Sequence, residues 1–313
     1  SYNTAVGYAA GLAVTTGVKN TLIGGLAGDA LTTNGLNVVV GYGALSTEDT
    51  GSRNVAIGVS ALSTQNADTT NYNVAVGYNA GSAVTTGVEN TLIGSLAGDA
   101  LTDADKNVAI GYAALTADTL GSKSVAIGLG TLEAQNFTTA TDSFNTAVGA
   151  EAGATVTTGT QNTLIGGQAG DALTTGGENV AVGAFALSGE DGNGKNVAVG
   201  VQALLTQNAG AEAYNVAVGY LAGKAVTTGI QNTLVGGLAG DALTNADQNV
   251  AFGVTALGAD TLGSRSTAIG TNALSDQNFT TATNTYNTAV GYNAGAATTT
   301  GVDNTLIGGL SGD

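Results

Sequence analysis

The chain has 313 residues and a net charge of −16, with 23 acidic and seven basic side chains and no His, Cys, Met, Pro or Trp. That balance argues against nucleic-acid and anionic-membrane partners, and the missing His and Cys remove His-activated nucleophiles and the usual zinc sites. Fifty glycines without proline or a three-residue period exclude collagen, and a 43% hydrophobic fraction with β-branched residues held in register argues against disorder.

From its first residues the chain repeats one five-residue pattern, typified by Asn73-Val74-Ala75-Val76-Gly77, whose glycine returns 18 times between Gly7 and Gly308. The spacing is 17 residues within each group of four copies and lengthens to 19 or 21 before the next group. Such a period predicts a solenoid rather than two globular domains. The groups run 3–72, 73–144, 145–214 and 215–286, with a partial fifth over 287–313, in one continuous array.

Each copy reads as a short strand with a turn at both ends. The leading Asn, replaced only by Ser124 and Ser266, suits the left-handed backbone region and a stacked amide ladder. Val or Thr and then Val or Ile flank a central Ala or Leu, so the two outer positions share one face and the central residue takes the other. The Ala-Leu segments that follow, such as Leu238 to Leu243, are bounded by glycines too closely for a stable helix. Gly and Leu alternate two by two in that segment, as in Gly11, Gly28, Leu45 and Leu62, which suggests bulk traded between neighbouring coils. One coil buries too few aliphatic side chains to fold alone, so stability must come from stacking. The expected fold is therefore all-β: a parallel β-solenoid with one coil per 17-residue unit, in this chain a rod roughly 85 Å long.

The fourth copy of each group is followed by a longer connection: Gln65 to Tyr72, Gln135 to Phe144, Gln207 to Tyr214 and Gln277 to Tyr286. These are the natural outward loops. They combine Asn, Thr and an aromatic, a mixture suited to sugar or protein contacts, so Tyr72, Phe137, Phe144, Tyr214, Phe279 and Tyr286 are the candidate ligand or interchain contacts. Carboxylates are the remaining material for catalysis. The aspartates Asp29, Asp99, Asp171, Asp241 and Asp313 share one register but stand four coils apart, too far for a pair of acids to cooperate. One carboxylate per turn also supplies too few ligands for calcium. No catalytic residue, metal or cofactor is expected.

The run Asn54-Val55-Ala56-Ile57-Gly58-Val59-Ser60-Ala61-Leu62-Ser63 resembles the head repeat of YadA-type trimeric autotransporter adhesins. The variant with Tyr after the glycine, Asn287-Thr288-Ala289-Val290-Gly291-Tyr292-Asn293-Ala294-Gly295, is similar to repeats of bacteriophage tail-fibre and other phage structural proteins. The resemblance spans essentially the whole chain, although the 17-residue unit is longer than the usual adhesin head repeat. It implies a left-handed parallel β-roll, usually trimeric, in an extracellular stalk or head at a cell surface or on a virion. A homotrimer would bury Ala- and Leu-bearing faces expected to stay wet on a single slender roll.

Together these readings favour a structural, non-enzymatic segment of an extracellular fibre, excerpted from a longer protein. Its first partner would be itself, as a trimer or fibril, without membrane insertion in this segment. The alternative is an adhesin head that attaches to surface glycans or a protein receptor through the long loops.

Overall fold

The structure is a computed structural model that describes residues 2–67 and 69–313; Ser1, and Asp68 in the first long loop, lie outside the described residues. It is all-β, with no helix among the described residues. The chain divides into two compact units, Ser1–Thr160 and Gln161–Asp313.

In the first unit the motif forms three-residue strands at Thr4–Val6, Thr21–Ile23, Val38–Val40, Val55–Ile57, Val74–Val76, Thr91–Ile93, Val108–Ile110, Val125–Ile127 and Thr146–Val148. In the second it forms them at Thr163–Ile165, Val180–Val182, Val197–Val199, Val216–Val218, Thr233–Val235, Val250–Phe252, Thr267–Ile269, Thr288–Val290 and Thr305–Ile307. Within each unit every strand pairs in parallel with its neighbours one coil away, motif position on motif position, as in Thr4↔Thr21 and Val197↔Val216. The 19- and 21-residue steps keep the same register, so the extra residues leave the stack as loops.

Register makes the central motif residue the core. From Leu22 to Ala147 in the first unit and from Leu164 to Ala289 in the second it is buried, while the Val, Thr and Ile on either side face outward and stay partly exposed. This corrects the expectation that the Ala and Leu faces need partner chains: each chain buries them by itself. The coil has room because bulk is indeed exchanged between neighbours. A Cβ added to Gly11 or Gly28 would collide with the side chain of the strand residue Leu22, whereas Leu45 and Leu62 are buried next to strands carrying Val39 and Ala56.

The motif glycines cannot be replaced. Gly7 and Gly24 sit at φ +136° and +133°, and a Cβ on either would lie 2.5 Å from the carbonyl oxygen of the motif glycine one coil on. The asparagines behave only partly as expected. The left-handed residue is the one before each Asn, as at Lys19, Arg53, Tyr72 and Glu89, and not the motif Asn. Each left-handed non-glycine residue costs about 1–2 kcal/mol. That strain is held by the stack: the Lys106 amide donates to the Val88 carbonyl and Lys123 to Asp105, one coil earlier.

Candidate functional site

The Asn column shows what the repeated side chain does. In the first unit Asn20 N–H donates to Asn3 Oδ1 (2.9 Å), Asn37 to Asn20 (3.1 Å), Asn54 to Asn37 (2.9 Å), and so on to Ser124 on Asn107 (2.8 Å). The second unit repeats this from Asn179 on Asn162 (3.1 Å) to Ser266 on Asn249 (2.8 Å). The amide Nδ2 meanwhile donates to a carbonyl 14 residues on, as Asn90 does to Ala104 (2.8 Å) and Asn232 to Ala246 (2.8 Å). Most of these side chains are buried, and pairing at nearly every coil is what makes an Asn column tolerable in the core, with Asn196 Nδ2 the exception.

The long loops leave from the fourth member of a group, where that carbonyl is no longer in reach. The two serines in the Asn column stand there, and a second buried network takes over. Gln135 Nε2 donates to Asp118 Oδ2 (2.6 Å) and to Ser124 Oγ (2.8 Å), while its Oε1 accepts from Asn145 Nδ2 (2.9 Å). Asp118 Oδ1 also accepts from the Gly121 and Phe137 amides, both at 3.0 Å. Asp260, Gln277, Ser266 and Asn287 repeat the same set in the second unit. The shorter loops use Glu48 with Gln65 and Glu190 with Gln207 at those positions. Burial pushes the Glu48 and Glu190 carboxyls above the usual range, against hydrogen bonds that pull them down. Asp241, in the shared aspartate register, is likewise pushed up by burial. Asp99, in that register too, accepts the Thr116 hydroxyl from the next coil.

The six residues expected as contact sites separate into two classes. Phe137 and Phe279, expected to face outward, are 5% and 7% exposed and belong to the core. Their loops are two residues longer and fold back to add a second parallel ladder, Gly121–Ser122 on Thr141–Asp142 and Gly263–Ser264 on Thr283–Asn284. The ring takes the space that the shorter loops fill differently: Asp with Phe in one pair of loops corresponds to Glu with Ala, at Glu48 and Ala67 and at Glu190 and Ala209, in the other.

Tyr72, Phe144, Tyr214 and Tyr286 do reach the surface, but each lies under a cation from the coil before. Arg53, Lys123, Lys195 and Arg265 stand 5.4, 5.2, 5.6 and 5.6 Å from the respective ring centroids. Both arginines also donate to their tyrosine hydroxyl at 2.6 Å. The two lysines instead pair with a loop acid, Lys123 with Asp142 (2.5 Å) and Lys195 with Glu212 (2.6 Å). Glu212 additionally accepts from Tyr214 Oη, and these two contacts hold its carboxyl below the usual range. Four of the seven basic residues thus fasten loop ends.

No group of His, Cys, Asp and Glu able to hold a metal ion occurs among the described residues. No helix among them is long and apolar enough to cross a membrane. Sequence reasoning missed Glu48, Asp118, Glu190 and Asp260 as loop anchors, although their 70- and 72-residue spacing matches the group period. No protein-family model and no curated protein matches this chain.

Proposed function

We propose that the chain is a structural, non-enzymatic shaft segment of an extracellular fibre, displayed at a cell surface or on a virion as its resemblance to adhesin and tail-fibre repeats implies. One observation carries the reading: the side chain repeated most faithfully, the motif Asn, spends both ends of its amide on holding one coil to the next. The buried acids and clamped loop aromatics support it, because they too serve the stack. An acidic surface keeps such shafts from associating laterally. Each chain closes its own core, so the shaft is proposed at the level of the single chain.

Pulling the chain from its two ends in an optical trap tests this. A load-bearing stack of coils resists and then yields in discrete steps, each releasing roughly 55 Å as 17 residues extend. Featureless lengthening at low force would remove the proposal.

A further inference from the structure

The first unit carries a second set of aromatics that the loops do not. Tyr8, Tyr42, Tyr78 and Tyr112 each follow a motif glycine in every second coil, and they are 84%, 61%, 56% and 57% exposed. No side-chain hydrogen bond or cation holds any of the four among the described residues, in contrast to Tyr72, Tyr214 and Tyr286. Their backbone is nevertheless fixed. The Leu26 amide donates to the Tyr8 carbonyl (2.8 Å), Ser60 to Tyr42 (3.0 Å), Leu96 to Tyr78 (3.0 Å) and Gly130 to Tyr112 (3.0 Å), so each ring stands on a locked coil. The Tyr42 ring leans over Gly25, whose added Cβ would meet Tyr42 Cδ2 at 3.2 Å.

We infer that this row binds an extended, uncharged polysaccharide of β-1,4-linked pyranoses, lying along the stack. Three properties select that ligand. A pyranose with equatorial substituents offers a flat C–H face, which stacks on an exposed aromatic ring. Successive sugars in a β-1,4 chain are turned over, so every second sugar presents the same face. One ring per two coils, about 9.6 Å, is close to the length of that two-sugar repeat. Gly25, Val59 and Ser95 lie between the tyrosines and Leu129 follows the last, and the strand residues alongside are Thr, Val and Ile, so no charged residue stands in the row itself. A neutral polymer suits it, whereas an acidic glycan would meet a chain of charge −16. Four weak contacts on one rigid support add up through avidity. This inference does not depend on the shaft reading.

The experiment is depletion of the full chain from solution by microcrystalline cellulose and by chitin, with α-linked starch granules as the control polymer. The variant combines Tyr8→Ser, Tyr42→Ser, Tyr78→Ser and Tyr112→Ser, a change the fold accepts because Ser95 already occupies this register. We expect retention on cellulose, chitin or both, a fall on the order of a hundredfold in the variant, unchanged circular dichroism, and full retention when Tyr214→Ser and Tyr286→Ser are made instead. The inference is overturned if the parent chain binds neither β-1,4 polymer, binds starch equally, or binds no better than the variant. It is also overturned if the four substitutions abolish self-association in sedimentation without any polymer binding, which would make the row a contact between copies.

Discussion

The first and third long loops have the same length, 65–72 and 207–214, and the same Glu and Gln, yet they differ in how well they satisfy them. Glu48 accepts from the Thr50 amide (3.2 Å), the Gly51 amide (2.5 Å), Gln65 Nε2 (3.0 Å) and the Ala67 amide (3.4 Å). Glu190 accepts at Oε1 from Asn193 N and Nδ2, both at 3.2 Å, while its Oε2, Gln207 Nε2 and Asn196 Nδ2 are buried without a protein partner. Two coupled differences explain this. A Cβ on Gly51 would overlap the Glu48 carboxylate and lie 2.5 Å from Asn71 Oδ1. The third loop has Asn193 in place of Gly51, and Ala213 in place of Asn71. The Asn193 side chain turns the carboxylate away from Gln207, and Ala213 offers no acceptor to Asn196. A repeat can thus keep its anchor residue while losing the contacts that make the anchor worthwhile.

Removing the anchors should separate the loops most. Glu48→Ala strands four donors, so a loss of about 3 kcal/mol is expected, against about 1 kcal/mol for Glu190→Ala. Urea midpoints of the two variants measure it, and equal shifts would erase the distinction. Next in size is an exchange of the coupled residues. Gly51→Asn alone should cost about 2 kcal/mol, with part of the loss recovered by adding Asn71→Ala. In the third loop Asn193→Gly with Ala213→Asn should gain about 1 kcal/mol, whereas Ala213→Asn alone should destabilise. Additive effects in this double-mutant cycle would mean that the pairs are not coupled.

Proton linkage gives a smaller effect. Burial raises both glutamates, so over the window above the ordinary Glu value the folded chain holds more protons than the unfolded chain. Stability from these groups therefore falls as pH rises through that window and recovers as pH drops back toward the ordinary Glu value. Four hydrogen bonds oppose the shift at Glu48, while at Glu190 the nearby Asp191 charge adds to it. Glu190→Gln should therefore flatten the dependence more than Glu48→Gln, and the reverse order in urea midpoints across that range would contradict the assignment. Smallest are the loop clamps: Arg53→Ala should cost about 0.5 kcal/mol, and Lys195→Ala should lower the urea midpoint only slightly. The Lys195 clamp, which leans on Glu212, should weaken more in high salt.

Much of this architecture is written in the sequence. The motif glycines mark the strands, the alternation of Ala and Leu with Val and Ile separates core from surface, and the Gly and Leu exchange shows where bulk is balanced. The fate of the loops was harder to read, because Phe137 and Phe279 are enclosed only once the longer loop folds back and pairs, which no local pattern announces. The left-handed residue was assigned to the Asn by propensity, yet stacking imposes that conformation on the residue before it, whatever its side chain. The clamps were readable in principle, since Arg53, Lys123, Lys195 and Arg265 recur with the group period.

The central claim is that coils, not residues, set distance along the stack, and paired spin labels within the first unit test it. The chain has no cysteine, so Tyr8→Cys, Tyr78→Cys and Ala150→Cys, all exposed and all following a motif glycine, can be labelled in pairs. Residues 8 and 78 and residues 78 and 150 are each four coils apart, so both pairs should give narrow distributions near 19 Å, and 8 with 150 near 38 Å. Broad distributions, or a distance for 8 and 150 well short of twice the others, would contradict the account.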